Sequence, residues 1–219
     1  MNASPKYRLI TRSDFDGLVC AVLLKELDMI DDILFVHPKD MQDGKIEVTA
    51  RDITTNLPYV PGAHLAFDHH ASETLRNPGE RSNHVIDAAA PSAARVVYEH
   101  FGGAQTFPNV DPQMMRAVDQ ADSAQYSRED ILEPQGWTLL NYLMDARTGL
   151  GRFRNFRISN YTLMMQLIDY CRDHGIHDIL GLPDVKERVE IYLEHADKAR
   201  EQIQRCSTPH GNLVVRDLR

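Results

Sequence analysis

An apolar strand, Tyr7 to Thr11, runs into Ser13-Asp14-Phe15-Asp16-Gly17 and from there into the apolar run Leu18 to Leu27. The order is strand, tight turn, helix, and no other feature narrows the fold as much. Val19, Val22, Leu23 and Leu27 recur at helical spacing, so one side of the helix packs on a sheet while Lys25 and Glu26 face water. Further strands follow. Ile33 to Val36 closes at Pro38, Ile46 to Ala50 alternates apolar and polar before Arg51-Asp52, and Ala63 to Phe67 leads into Asp68-His69-His70.

Helical segments separate and follow these strands. Pro91 or Ser92 starts one that Gly102-Gly103 stops, and another runs from Asp111-Pro112 to about Ala124 with Met114, Met115 and Val118 on its apolar side. Trp137 to Asp145, Tyr161 to His174 and Pro183 to Gln204 also read as helices. The pattern predicts an α/β fold: a mostly parallel sheet with helices on both faces, followed by helical segments. Residues 1–130 form the α/β domain and 131–206 a helical extension or linker. Residues 207–219 read as the start of a further C-terminal domain, because the strand at Leu213 to Val215 has nothing after it to pair with.

Composition excludes several classes. Cys20, Cys171 and Cys206 are odd in number and widely spaced, which argues against a disulfide framework and for a reducing, cytoplasmic setting. No run approaches the roughly 18 apolar residues that span a bilayer, and MNASPKYRLI lacks the pattern of a signal peptide. A formal net charge of −8 opposes broad nucleic-acid binding by counterion release, although a local basic patch is compatible with it.

The acids fall where a parallel sheet collects ligands, just after its strands: Asp14 and Asp16, then Asp52, then Asp68, His69 and His70. Each alone has a structural explanation, as turn or cap chemistry. Three ionisable groups after one buried strand have none, and carboxylates with imidazoles are the ligands that manganese, magnesium, iron or zinc accept. Two such ions side by side need a bridging carboxylate.

Ser13-Asp14-Phe15-Asp16-Gly17, Asp52 and Phe67-Asp68-His69-His70 resemble the first three motifs of the DHH phosphoesterases, over about residues 7 to 125. The segment Ala117 to Ser123 stands where the fourth motif is expected, with Asp119 and Asp122 both candidates. The resemblance implies a site with two divalent cations, manganese first and magnesium next. Asp52 bridges them, Asp14 serves one, and Asp16, His69 and the fourth-motif aspartate serve the other. His70 faces the phosphate and Asp68 orients an imidazole. Ile10 stands where many members carry a histidine, which weakens the metal at Asp14.

The activity so implied is hydrolysis of a phosphodiester or phosphoanhydride by metal-activated water, as in exopolyphosphatase-like and exonuclease-like members. The partner is a phosphate-containing small molecule, polyphosphate or a short single-stranded nucleic acid, and a homodimer is compatible with the sequence. The alternative is a catalytically weak metal- or nucleotide-binding regulatory module. Arg12, beside the first motif, and Ser92, at a helix N-terminus, are candidate phosphate contacts. The run Arg147 to Arg157, with Arg152 and Arg154 at its centre and two phenylalanines, is a candidate surface for a polyanion or a base, or else a solvated loop.

Overall fold

The strand, turn and helix at the N-terminus form as the pattern requires, as β1 (Tyr7–Arg12) and α1 (Phe15–Glu26). The computed structural model describes residues 6–145, 148 and 150–217. Four strands join β1: β2 (Ile30–Val36), β3 (Asp52–Thr55), β4 (Leu65–Asp68) and β5 (His84–Ile86). All pair in parallel, in the order β2-β1-β3-β4-β5. Every strand therefore presents its carboxyl end to the same edge of the sheet.

Alternation along β1 sends Leu9 to one face and Ile10 to the other. The Leu9 face, with Ile53 and Phe67, carries the main core. There α1 lies beneath α4 (Ala93–His100), α5 (Pro112–Asp122) and α8 (Asn160–Asp173). It is buried on every side from Phe15 to Leu24 rather than along one stripe, because these helices cover its outer surface. Lys25 and Glu26 are spent on α8, pairing with Asp169 and Arg172 at 2.6 Å each. The opposite face holds a smaller cluster of Ile10, Met41 and Leu57, under the short α2 (Pro38–Gln42) and the loop residues Ile46, Val48 and Val60.

The remaining helices are α3 (Ala71–Arg76), α6 (Arg128–Leu132), α7 (Gly136–Met144), α9 (Ile176–Gly181) and α10 (Pro183–Arg205). None of the described helices is long and apolar enough to cross a membrane.

Two sequence expectations change. The alternating stretch Ile46 to Ala50 is loop, since its apolar residues cap the small cluster, and the β-branched run that follows it is the strand. The strand at Leu213 does have a partner. β6 (Ser207–His210) and β7 (Leu213–Arg216) form an antiparallel hairpin that turns at Gly211, whose φ of 63° suits glycine.

Gly17 is required by contact rather than by backbone angle. A Cβ there would lie 2.0 Å from the Arg12 carbonyl oxygen, a backbone atom that no rotamer change relieves. Gly17→Ala is expected to lower the unfolding free energy by about 1–3 kcal/mol, the usual cost of overpacking, in denaturant titrations followed by circular dichroism.

Candidate metal centre

The turn after β1 places two acids differently. Asp14 is the N-cap of α1 and accepts the Gly17 N–H at 2.9 Å. Asp16, in the first turn, is buried and aims at the start of α4, where its two oxygens accept the N–H groups of Ala93 and Ala94 at 2.9 and 2.7 Å. A helix N-terminus is a favourable place for a carboxylate. Burial nevertheless pushes the Asp16 carboxyl up to about 8, with the neighbouring Asp122 and Asp14 adding to the effect.

His69 reaches the same point from the end of β4. Its Nδ1 lies 3.2 Å from the Ala90 carbonyl, which can only accept, so the proton sits on Nδ1 and the Nε2 lone pair faces Asp16 and Asp122. Nε2 lies 2.8 Å from an Asp122 oxygen, yet it is buried without a partner in hydrogen-bond geometry. Asp16, His69 and Asp122 each offer one ligand atom, all within 4.8 Å of one another. A divalent cation fits this set: oxygen and nitrogen donors, a fixed tautomer and an orphaned nitrogen. Without an ion, burial opposes charge on His69, but Asp122 and Asp16 outweigh it and raise its pKa.

Arg12, Asp14 and Asn56 stand alongside. Arg12 Nε lies 2.9 Å from Asp14, and the Asn56 amide donates to both Asp14 oxygens at 3.2 and 3.4 Å. Asn56 follows β3 at a φ of 55°, a left-handed conformation that asparagine tolerates better than most residues. Asp68 is buried and accepts from the His69 N–H and from His70 Nδ1, at 2.9 and 2.7 Å. Its hydrogen bond to His70 is the main reason the His70 pKa is raised. Asp14, Asp16, Asp122, Arg12 and His70 all line a cleft of about 640 Å³, rimmed by Phe35, Val36 and His37.

The structure thus gathers Asp14, Asp16, Asp68, His69, His70, Asp122 and Arg12, and separates the other candidates from them. Asp52 begins β3 instead of ending it, opposite Arg8 in the register, so it lies at the far edge of the sheet. It pairs with Arg8 Nε at 2.7 Å and caps Thr49. Burial works against that carboxylate, but Arg8 and Thr49 prevail and hold its pKa below the usual range. The bridging role expected of it is corrected: Asp52 sits at the start of β3, and the residue that follows the strand beside Asp14 is Asn56. The run Ile53-Thr54-Thr55 was the sequence signal for this strand, and the pattern before Asp52 obscured it.

Asp119 is bound to the Ser92 hydroxyl at 2.8 Å and to Arg95 Nε at 3.0 Å, which leaves Asp122 as the acid at the centre. Ser92 is a fully buried N-cap whose oxygen accepts the Arg95 N–H, so it offers nothing to a phosphate. Arg154 hydrogen-bonds the Gly151 carbonyl at 2.8 Å and does not line the cleft. Arg147, Gly149 and the Arg152 side chain lie outside the described residues. Phe156 in this loop packs beneath the buried Arg188, 4.0 Å from ring centre to guanidinium, so its aromatic character serves packing.

An acid and imidazole cluster at the carboxyl edge of a parallel sheet, in a cleft that Arg12 also lines, has the build of a hydrolase acting on phosphoester bonds. Comparison with solved structures bears this out. The chain is 63% identical to the pGpG-specific phosphodiesterase PggH from Vibrio cholerae, with a TM-score of 0.90, over 97% of this chain and 68% of that one. It belongs to the family of that phosphodiesterase. An uncharacterized protein from Helicobacter pylori G27 aligns at 13% identity with a TM-score of 0.40, too remote to carry an argument. No family model and no curated protein matches.

Two substitutions test these placements. Asp52→Ala is expected to cost about 1–3 kcal/mol of stability, the worth of a charged hydrogen-bonded pair, with metal binding intact. Because the folded-state pKa is depressed, that contribution is full above about pH 4 and disappears as the pH falls through the folded value. Denaturant titrations of both proteins at pH 7 and pH 3 measure it. Asp122→Ala should abolish Mn2+ binding in calorimetry, whereas Asp119→Ala should keep it and lose stability through Ser92 and Arg95.

Proposed function

We propose that this chain is a divalent-metal-dependent phosphodiesterase of the DHH kind that hydrolyses a guanine dinucleotide such as pGpG. The observation that carries this reading is 63% identity to a pGpG-specific phosphodiesterase across 97% of the chain. The DHH reading draws further support from Asp68-His69-His70 at the end of β4, with His69 turned toward Asp16 and Asp122.

In this reading Asp16, His69 and Asp122 hold the cation. When bound, it supplies Lewis-acid chemistry, lowering the pKa of water and neutralising charge on the phosphate. Ala93 and Ala94 keep Asp16 in place, and Ala90 keeps the lone pair of His69 on the ligand side. Arg12 meets the non-bridging oxygens of the phosphodiester. His70 has Nδ1 engaged by Asp68, so Nε2 is the ring nitrogen that donates to the phosphate or to the departing oxygen. The hydrogen bond to Asp68 raises the His70 pKa, the direction that favours a proton on both ring nitrogens.

The balance of the reaction is simple. One water adds to phosphorus, the 3′-oxygen leaves with a proton, and one dinucleotide becomes two 5′-mononucleotides. A cleft of about 640 Å³ is of ordinary size for a small ligand, and Phe35 and His37 on its rim offer faces on which a base can stack.

The test is incubation of the purified chain with pGpG and Mn2+, products being resolved by anion exchange. The expected outcome is two equivalents of GMP per pGpG, a slower reaction with other dinucleotides, and loss of turnover in Asp16→Asn and His69→Ala. Cleavage of polyphosphate with pGpG untouched would transfer the assignment to the phosphoanhydrides. Undiminished turnover in both variants would remove the metal centre from the mechanism.

A further inference from the structure

The ligand set has one half only. The sequence leads to an expectation of two cations bridged by a carboxylate, yet Asp52 lies at the far edge of the sheet and Asn56, just past the end of β3, is the residue beside Asp14. An amide carries no charge to hold two dications together. Here its N–H donor is turned toward Asp14, where a second ion would have to sit.

Asp14 itself is already engaged. Oδ1 accepts from Gly17 N at 2.9 Å and Asn56 Nδ2 at 3.2 Å, while Oδ2 faces Arg12 Nε at 2.9 Å and Asn56 Nδ2 at 3.4 Å. Ile10, four residues before Asp14 on β1, is fully buried against Met41 and Leu57 and brings no imidazole. Among the described residues, Asp16, His69 and Asp122 are the one group with metal-ligand spacing.

We infer that the centre holds a single divalent cation, and that the Arg12 guanidinium, set by Asp14 and Asn56, supplies the second positive charge that the phosphodiester meets. This rests on the proposed metal-dependent function. Arg12 is about half exposed and lines the cleft together with Asp14, Asp16 and Asp122, so its free nitrogens can reach a phosphate that the ion also touches. A planar guanidinium suits a tetrahedral dianionic or monoanionic phosphate, because two N–H groups can address two oxygens at once. Asp14 and Asn56 then act as positioning residues. They keep the guanidinium at one side of the phosphate while the ion occupies the other.

The experiment counts ions. The full chain is stripped with chelator and titrated with Mn2+ in a calorimeter, and the bound ion is followed by electron paramagnetic resonance. The expected result is one Mn2+ per chain, with the signal of an isolated ion at every loading. Asp14→Asn should leave that count at one and raise KM for pGpG by tenfold or more. Arg12→Gln should do the same, with Arg12→Lys partly restoring KM.

Two Mn2+ per chain, an exchange-coupled signal, and a fall to one ion in Asp14→Asn would overturn the inference. Wild-type KM in both Arg12 variants would overturn the role of the guanidinium. A folded chain that binds no Mn2+ at all would sink the metal-dependent reading itself, and this inference with it.

Discussion

The Asp16 carboxylate, held by the first two amides of α4, is the contact on which the site depends. It joins the turn after β1 to a helix nearly eighty residues further along, and it does so in the interior. The segment just before that helix also supplies the Ala90 carbonyl that fixes the His69 ring. One short stretch, Ala90 to Ala94, therefore grips two candidate metal residues that follow two different strands. Ser92 caps α4 from within and is itself secured by Asp119.

Electrostatically the two edges of the sheet are opposites. At the far edge Asp52 and Arg8 form a matched pair whose carboxyl titrates below its ordinary range, a sign that the fold is content with the charge. At the carboxyl edge Asp16 and Asp14 are both raised, principally by burial, with Asp122 adding to both and Asp14 adding to Asp16. Holding several acids together carries an electrostatic cost that a cation would offset, and a raised carboxyl beside an imidazole turned lone-pair inward is the form that cost takes here.

The cleft brings together two kinds of group: the candidate metal residues Asp16 and Asp122, and Arg12 with Asp14 and His70. Arg12 and His70 also line a second, smaller pocket with Asn56 and Asp68. The Arg-rich stretch after α7, which looks in the sequence like a surface for a polyanion, has its visible contacts elsewhere. Arg157 pairs with Asp184 and its N–H donates to Glu187, and Arg188 bonds the Ile158 carbonyl at 2.8 Å over the Phe156 ring. That stretch anchors α10 to the domain.

Much of this was written in local pattern. The strand, turn and helix of residues 7–27, the acids inside the turn, the helix after Ser92 and the Asp68-His69-His70 cluster all follow from spacing and residue type, since strand and helix periods are properties of neighbouring residues. The choices that spacing could not make were those settled by pairing. Asp52 became a structural residue, and Asn56 a site residue, because β3 starts where Arg8 can meet Asp52 across the sheet. Asp122 rather than Asp119 faces the centre because Ser92 and Arg95 had already taken Asp119. Sequence by itself determined which acids and imidazoles were available and that a parallel sheet would carry them. Only the tertiary structure decided which end of the sheet each would occupy, because strand register is fixed by a partner dozens of residues away and leaves no mark in the local period.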